Sequence, residues 1–100
     1  MTDITAIEYY WRPGCPFCMR LGRAIERAGI PTNQHNIWDD AEAAATVRSI
    51  ANGNETVPTV VVGDAKMVNP SMDELIDALR TEAPALVPAD ADEKKGFFRR

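Results

Sequence analysis

The chain has 100 residues and a formal net charge of −4, with 45% hydrophobic and 26% charged residues. That length supports one small domain with a modest core. The acidic balance excludes a protein built mainly to grip nucleic-acid phosphates, which needs clustered Lys and Arg. No apolar run approaches the ~20 residues of a membrane-spanning helix, and Met1-Thr2-Asp3-Ile4 lacks the basic-then-apolar pattern of a secretory signal. A cytoplasmic monomer with no membrane partner is therefore expected.

Ile4 to Trp11 is rich in β-branched and aromatic residues and predicts a central strand. Arg12-Pro13-Gly14 breaks it. A first helix then starts at Cys15 or Pro16 and runs to Ala28, with Cys18, Leu21, Ile25 and Ala28 as its buried stripe. Gly29 and Pro31 stop it. Asn33 to Trp38 predicts a polar edge strand. Asp39-Asp40 caps a second helix from Ala41 to about Ala51, whose stripe is Ala44, Val47, Ile50 and Ala51. Thr56 to Val62 reads as a fully buried strand. A turn at Gly63-Asp64 leads to a short partner, Lys66 to Val68. The last helix has two candidate caps: Asn69 with Pro70 following, or Ser71 with Glu74 closing a capping box. It buries Leu75, Ile76 and Leu79 and ends near Thr81 or Glu82. The domain thus spans 1–82. Residues 83–100 lack any sustained period and read as a disordered tail; its Gly96-Phe97-Phe98-Arg99-Arg100 end offers at most a weak docking motif. The order β-α-β-α-β-β-α predicts an α/β fold. The first two strands are parallel, the last two antiparallel, and helices cover both faces of a mixed four-stranded sheet.

The chemistry lies in Cys15-Pro16-Phe17-Cys18, where a strand gives way to a helix. Two cysteines at helical spacing i, i+3 sit on one face, roughly 5–6 Å apart, within disulfide reach. Cys15, at the positive end of the helix dipole, is expected to be the exposed thiolate nucleophile, with Arg12 adding to the effect. Cys18, a turn further in on the apolar face, is expected to be shielded and to resolve the mixed disulfide. Pro16 stiffens the turn between them. A zinc half-site lacks a fourth ligand beyond Cys15, Cys18 and His35, a structural disulfide over so short a loop adds little, and no residue favours a cluster bridged between chains. Pro58 either initiates its strand or follows a cis peptide that sets the Val57 backbone beside the cysteines, and the residues alone leave both open. Trp11 and Trp38 are expected to pack in the core or at its edge.

Gly14-Cys15-Pro16-Phe17-Cys18 with Thr56-Val57-Pro58 some forty residues later resembles the glutaredoxin family of the thioredoxin-fold superfamily, over roughly residues 4–80. The resemblance implies a thioredoxin-like fold, thiol–disulfide exchange with no tightly bound cofactor, and a cis Val57-Pro58 facing the cysteines. Arg12 and Phe17 hold the places of a basic and an aromatic residue that wall the thiol groove in that family, although Arg12 reads equally as a solvated loop charge. Glutathione-dependent members carry Gly-Gly and an acidic pair after the last strand. This chain has Asn69-Pro70-Ser71-Met72-Asp73, and only Asp73 matches part of that pattern. Asn52 to Val60 and Asn69 to Ser71 resemble actinobacterial mycoredoxins instead. That implies mycothiol as co-substrate rather than glutathione, protein mixed disulfides as substrates, a flavin reductase upstream, and Asn69, Ser71 and Asp73 as thiol contacts as well as capping groups. The rivals are a thioredoxin-like donor to ribonucleotide reductase, reduced directly by thioredoxin reductase, and a non-catalytic metal- or iron–sulfur-binding module.

Overall fold

The structure is a computed structural model and describes residues 4–88. Its elements are β1 (Ile7–Trp11), α1 (Pro16–Ala28), β2 (Thr32–Asn36), α2 (Ala41–Ile50), β3 (Thr59–Val62), β4 (Ala65–Val68), α3 (Met72–Glu82) and a 3-10 turn, Pro84–Leu86. The sheet order is β2-β1-β3-β4. β1 and β2 run parallel in the register Ile7↔Thr32 to Trp11↔Asn36. β3 is antiparallel to both β1 and β4. The expected α/β order and the mixed sheet are present.

Alternation along β1 divides the core. Ile7 and Tyr9 face Leu21 and Ile25 of α1, Leu75 and Leu79 of α3, and Val60 and Val62 of β3. Tyr10 faces the other way, onto Ile37 and onto Ala43, Ala44 and Val47 of α2. Two helices therefore cover one face and a single short one the other, and both clusters share the central strand.

Several boundaries differ from expectation. β1 starts at Ile7 rather than Ile4, and β2 starts one residue earlier, at Thr32, and ends two residues earlier, at Asn36, so that Ile37 and Trp38 fall in the turn after it. β3 begins only after Pro58, because a proline offers no N–H to a ladder. Val61 is half-buried, since the single small helix α2 covers that face incompletely. The α2 stripe is rotated: Ala43 is buried, and Ile50 and Ala51 only partly so. Ser71, not Asn69, caps α3. The fold also continues past 82. Ala83 is buried, and Leu86 and Val87 pack on the main core. The expected tail therefore begins too early at 83; its remainder, including Gly96 to Arg100, lies outside the described residues. Among the described residues no helix is long and apolar enough to cross a membrane.

Candidate functional site

The site stands at the C-terminal ends of β1 and β2. Arg12-Pro13-Gly14 turns the chain from β1 into α1, and Gly14 supplies the positive φ of 72° that the turn requires. Cys15 is the N-cap of α1, in extended backbone, and Pro16 holds the first helical position. The Cys18 N–H donates to Cys15 Sγ at 3.1 Å. A sulfur atom thus does the work of a capping oxygen, and the helix start directs an N–H dipole at the atom that would carry thiolate charge. The two residues form a disulfide with Cα atoms 5.2 Å apart. In this oxidised form Cys15 and Cys18 are equally covered, each 3% exposed. The expectation of an exposed Cys15 against a shielded Cys18 is corrected on that point. The bond turns both sulfurs toward each other, and the asymmetry that remains is one of hydrogen bonding.

Val57-Pro58 is a cis peptide. The Val57 carbonyl oxygen lies 3.9 Å from Cys15 Sγ. Pro58 is fully buried. Its carbonyl accepts the Asn69 N–H at 2.7 Å. Asn69, with a positive φ of 49°, is the joint between β4 and α3 rather than a helix cap. The capping box belongs to Ser71 and Glu74: the Glu74 N–H donates to Ser71 Oγ at 3.1 Å, and the Ser71 N–H donates to Glu74 Oε1 at 2.9 Å. Asp73 is exposed in the first turn of α3. Asn69 is thereby tied to the Val57-Pro58 segment, whose Val57 carbonyl lies beside Cys15.

Phe17 is 56% exposed and flanks the disulfide. Arg12 donates from Nη1 to the Pro13 carbonyl at 3.1 Å, and its guanidinium carbon stands 5.6 Å from the Trp38 ring centroid. It is neither a free loop charge nor a direct partner of Cys15 in this form. Trp38 is 63% exposed. The expectation that it packs away is overturned, because Ile37 takes the buried position and Trp38, next in line, points out. Trp11 is half-buried as expected.

Two further contacts were not legible. The Tyr9 hydroxyl donates to the Cys18 carbonyl. Burial pushes the Tyr9 phenol up to about 12, against a partial offset from the Gly22 backbone. His35 Nε2 lies 2.7 Å from Glu8 Oε1, and its ring stacks on Tyr10 at 4.7 Å, so it is occupied away from the cysteines. Among the described residues no group of three or more His, Cys, Asp or Glu side chains converges as a metal site. A cavity of about 540 Å³ lies between α1 and the β2 edge, lined by Tyr9, Trp11, Cys18, Gly22 and Gln34 among others; neither Val57 nor Pro58 borders it.

A family model described as Glutaredoxin matches residues 7–67. A Mycobacterium tuberculosis protein named "Putative glutaredoxin" (strain CDC 1551 / Oshkosh) is 37% identical over 71 residues, covering 70% of this chain and 84% of its own. A "Probable glutaredoxin" of Synechocystis is 34% identical over 58 residues, or 58% of this chain and 66% of its own. Among solved structures, a glutaredoxin from Archaeoglobus fulgidus superposes with a TM-score of 0.64 at 26% identity, covering 76% of this chain and 87% of that one.

Proposed function

The chain belongs to the glutaredoxin family, and we propose that it is a cytoplasmic dithiol oxidoreductase that reduces mixed disulfides between proteins and mycothiol. The observation that carries the thiol chemistry is Cys15 Sγ receiving the Cys18 N–H at the start of α1. That donor favours a thiolate at Cys15 over a thiol, which suits it both as nucleophile and as leaving group. In the reduced enzyme the Cys15 thiolate attacks the small-thiol sulfur of the mixed disulfide. The S–S bond breaks, the protein thiolate leaves and takes up a proton, and Cys15 carries the small thiol. The cycle closes in one of two ways. A second small thiol attacks that adduct and departs as the symmetric disulfide, or the Cys18 thiolate attacks Cys15 Sγ, releases the small thiol and forms the internal disulfide. Two further small thiols then reduce that disulfide, and a flavin reductase recycles their oxidised form.

The Val57 backbone beside Cys15 supports docking of a substrate main chain. Asn69, Ser71 and Asp73, held to Pro58 through one hydrogen bond, support a thiol-recognition strip without the Gly-Gly of glutathione-dependent members.

Kinetics and mass measurements test it. Cys15→Ser should abolish reduction of mixed disulfides; turnover that survives would overturn Cys15 as nucleophile. Cys18→Ser should retain monothiol turnover or accumulate an adduct on Cys15, and the mass of that adduct names the thiol. NADPH consumption should follow a mycothiol-coupled flavin reductase. Coupling to thioredoxin reductase alone would overturn the small-thiol reading.

A further inference from the structure

We propose that Trp38, steadied by Arg12, is a platform for the sugar of the small-thiol co-substrate, and so a determinant of which thiol the site accepts. The inference rests on the mycothiol reading above and assigns its carbohydrate subsite.

The placement follows from the sheet. β1 and β2 are parallel, and Trp11 is opposite Asn36, so the turns that leave both strands emerge at the same edge. One carries Arg12 and leads to Cys15. The other carries Trp38. The turn at Trp38 is built rather than loose. The Ile37 N–H donates to the Trp11 carbonyl at 2.9 Å, which extends the pairing past the end of β2. Ile37 is 5% exposed and anchors that turn in the core. The Trp38 N–H donates to Asn36 Oδ1 at 2.9 Å, and the Asp39 N–H to the Asn36 carbonyl at 3.0 Å. A large indole is thereby presented to solvent from a fixed backbone, at the end of the sheet from which the Arg12-to-Cys15 turn also leaves.

Its chemistry suits a neutral ring. An indole offers a flat apolar surface with a negative quadrupole, to which the polarised C–H groups of a pyranose or cyclitol face are attracted. Arg12 points the same way. A peptide thiol such as glutathione brings carboxylates, and an arginine that grips them must project its guanidinium fork toward the ligand. Here the guanidinium stands over the Trp38 ring and donates to Pro13, in its own turn. The one cation in the Arg12-to-Cys18 loop and helix start is thus spent on holding the platform. Phe17, between the two cysteines in the chain, supplies a second exposed aromatic surface.

Two measurements on the full chain test this. The first compares the kcat/KM for a mixed disulfide of mycothiol with that for one of N-acetylcysteine, which lacks the pseudo-disaccharide. Trp38→Ala should lower the mycothiol-to-N-acetylcysteine ratio about tenfold, chiefly through KM, and Trp38→Tyr should restore most of it. An unchanged ratio, including an equal loss on both substrates, would overturn the platform. The second uses the fact that the chain has two tryptophans. In a Trp11→Phe background Trp38 reports alone, and titration with the thiol-free glucosaminyl-inositol fragment should give a saturable fluorescence change. A flat titration would equally overturn it. The two readings fail separately. Wild-type enzyme that shows no preference for mycothiol while Trp38 still binds the fragment removes the proposed co-substrate and leaves the platform. A clear mycothiol preference that Trp38→Ala leaves intact removes the platform and leaves the co-substrate.

Discussion

Ser71 carries two duties that a single variant can separate. Its hydroxyl closes the capping box of α3, and it stands in the strip proposed to meet the thiol. Ser71→Ala should cost about 1 kcal/mol, the usual loss for an N-cap, read as a lower denaturant midpoint at constant m-value. Ser71→Asp keeps a capping oxygen and should recover that stability. If the hydroxyl also contacts the thiol, the KM for the mixed disulfide should stay raised in Ser71→Asp. At this scale the sequence was most informative where chemistry is local. The Cys15 and Cys18 pair, Pro16 at the first helical position and the Ser71–Glu74 box all follow from neighbours within one turn of helix. It was least informative where a side chain's direction depends on the sheet. Trp38 could be placed only once Ile37 was known to hold the buried position, and Arg12 only once Trp38 stood beside it. Cys15 is as buried as Cys18 in the disulfide form, which its place at the helix start did not reveal.

Among the elements, α1 is tied to β1 by an uncommon bond. The Tyr9 hydroxyl reaches across the core to the carbonyl of Cys18, and Gly22 makes room for it: a Cβ there would stand 3.3 Å from the phenol oxygen. The helix turn that carries the second cysteine is thus fixed to the central strand. Burial holds the phenol neutral, with its pKa raised from 10.0 to about 12. The folded state therefore favours the protonated form. The stability this contributes is complete below pH 10 and disappears as pH rises through about 12. Denaturation midpoints followed from about pH 8 to about pH 12 should fall, and Tyr9→Phe should flatten that fall, leaving the smaller share of Tyr10, whose phenol is also raised by burial. Element order and type were legible because each hydrophobic period is unambiguous. Boundaries were not, because the last pairing residues of β1, β2 and β3 are chosen by their neighbours in the sheet. The rotation of the α2 stripe toward Ala43 has the same origin: alanines on several sides of a short helix leave its buried face to the strand it meets.

For the molecule as a whole, the main core closes only with residues beyond α3. Ala83 is 5% exposed, and Leu86 and Val87 pack against the cluster of Ile7, Val62 and Leu79. A chain ending after Pro88 should keep these contacts, and one ending after Glu82 should lose them. Thermal melts should separate the two truncations by about 2 kcal/mol, on the scale of burying part of two aliphatic side chains and one small one. Equal melting temperatures would mean that the segment adds nothing. Composition pointed the other way here, since Pro84 and the lack of any sustained period suggest a helix end followed by loose chain. The packing that retains the segment comes from residues distant in sequence, Ile7 and Val62, on the face that α1 and α3 cover.

The hydrogen bond from the Asn69 N–H to the Pro58 carbonyl has an evolutionary consequence. It joins the segment proposed to choose the thiol to the segment that borders the reacting sulfur. Because the bond joins main-chain atoms and Asn69 holds a positive φ of 49°, a lineage whose replacement of residues 69–73 altered that backbone path would also disturb the Val57-Pro58 segment beside Cys15. Changes of reductant should therefore arrive with compensating substitutions around Thr56 to Thr59. Chimeras that exchange only 69–73 should lose rate on every substrate before they gain preference for any.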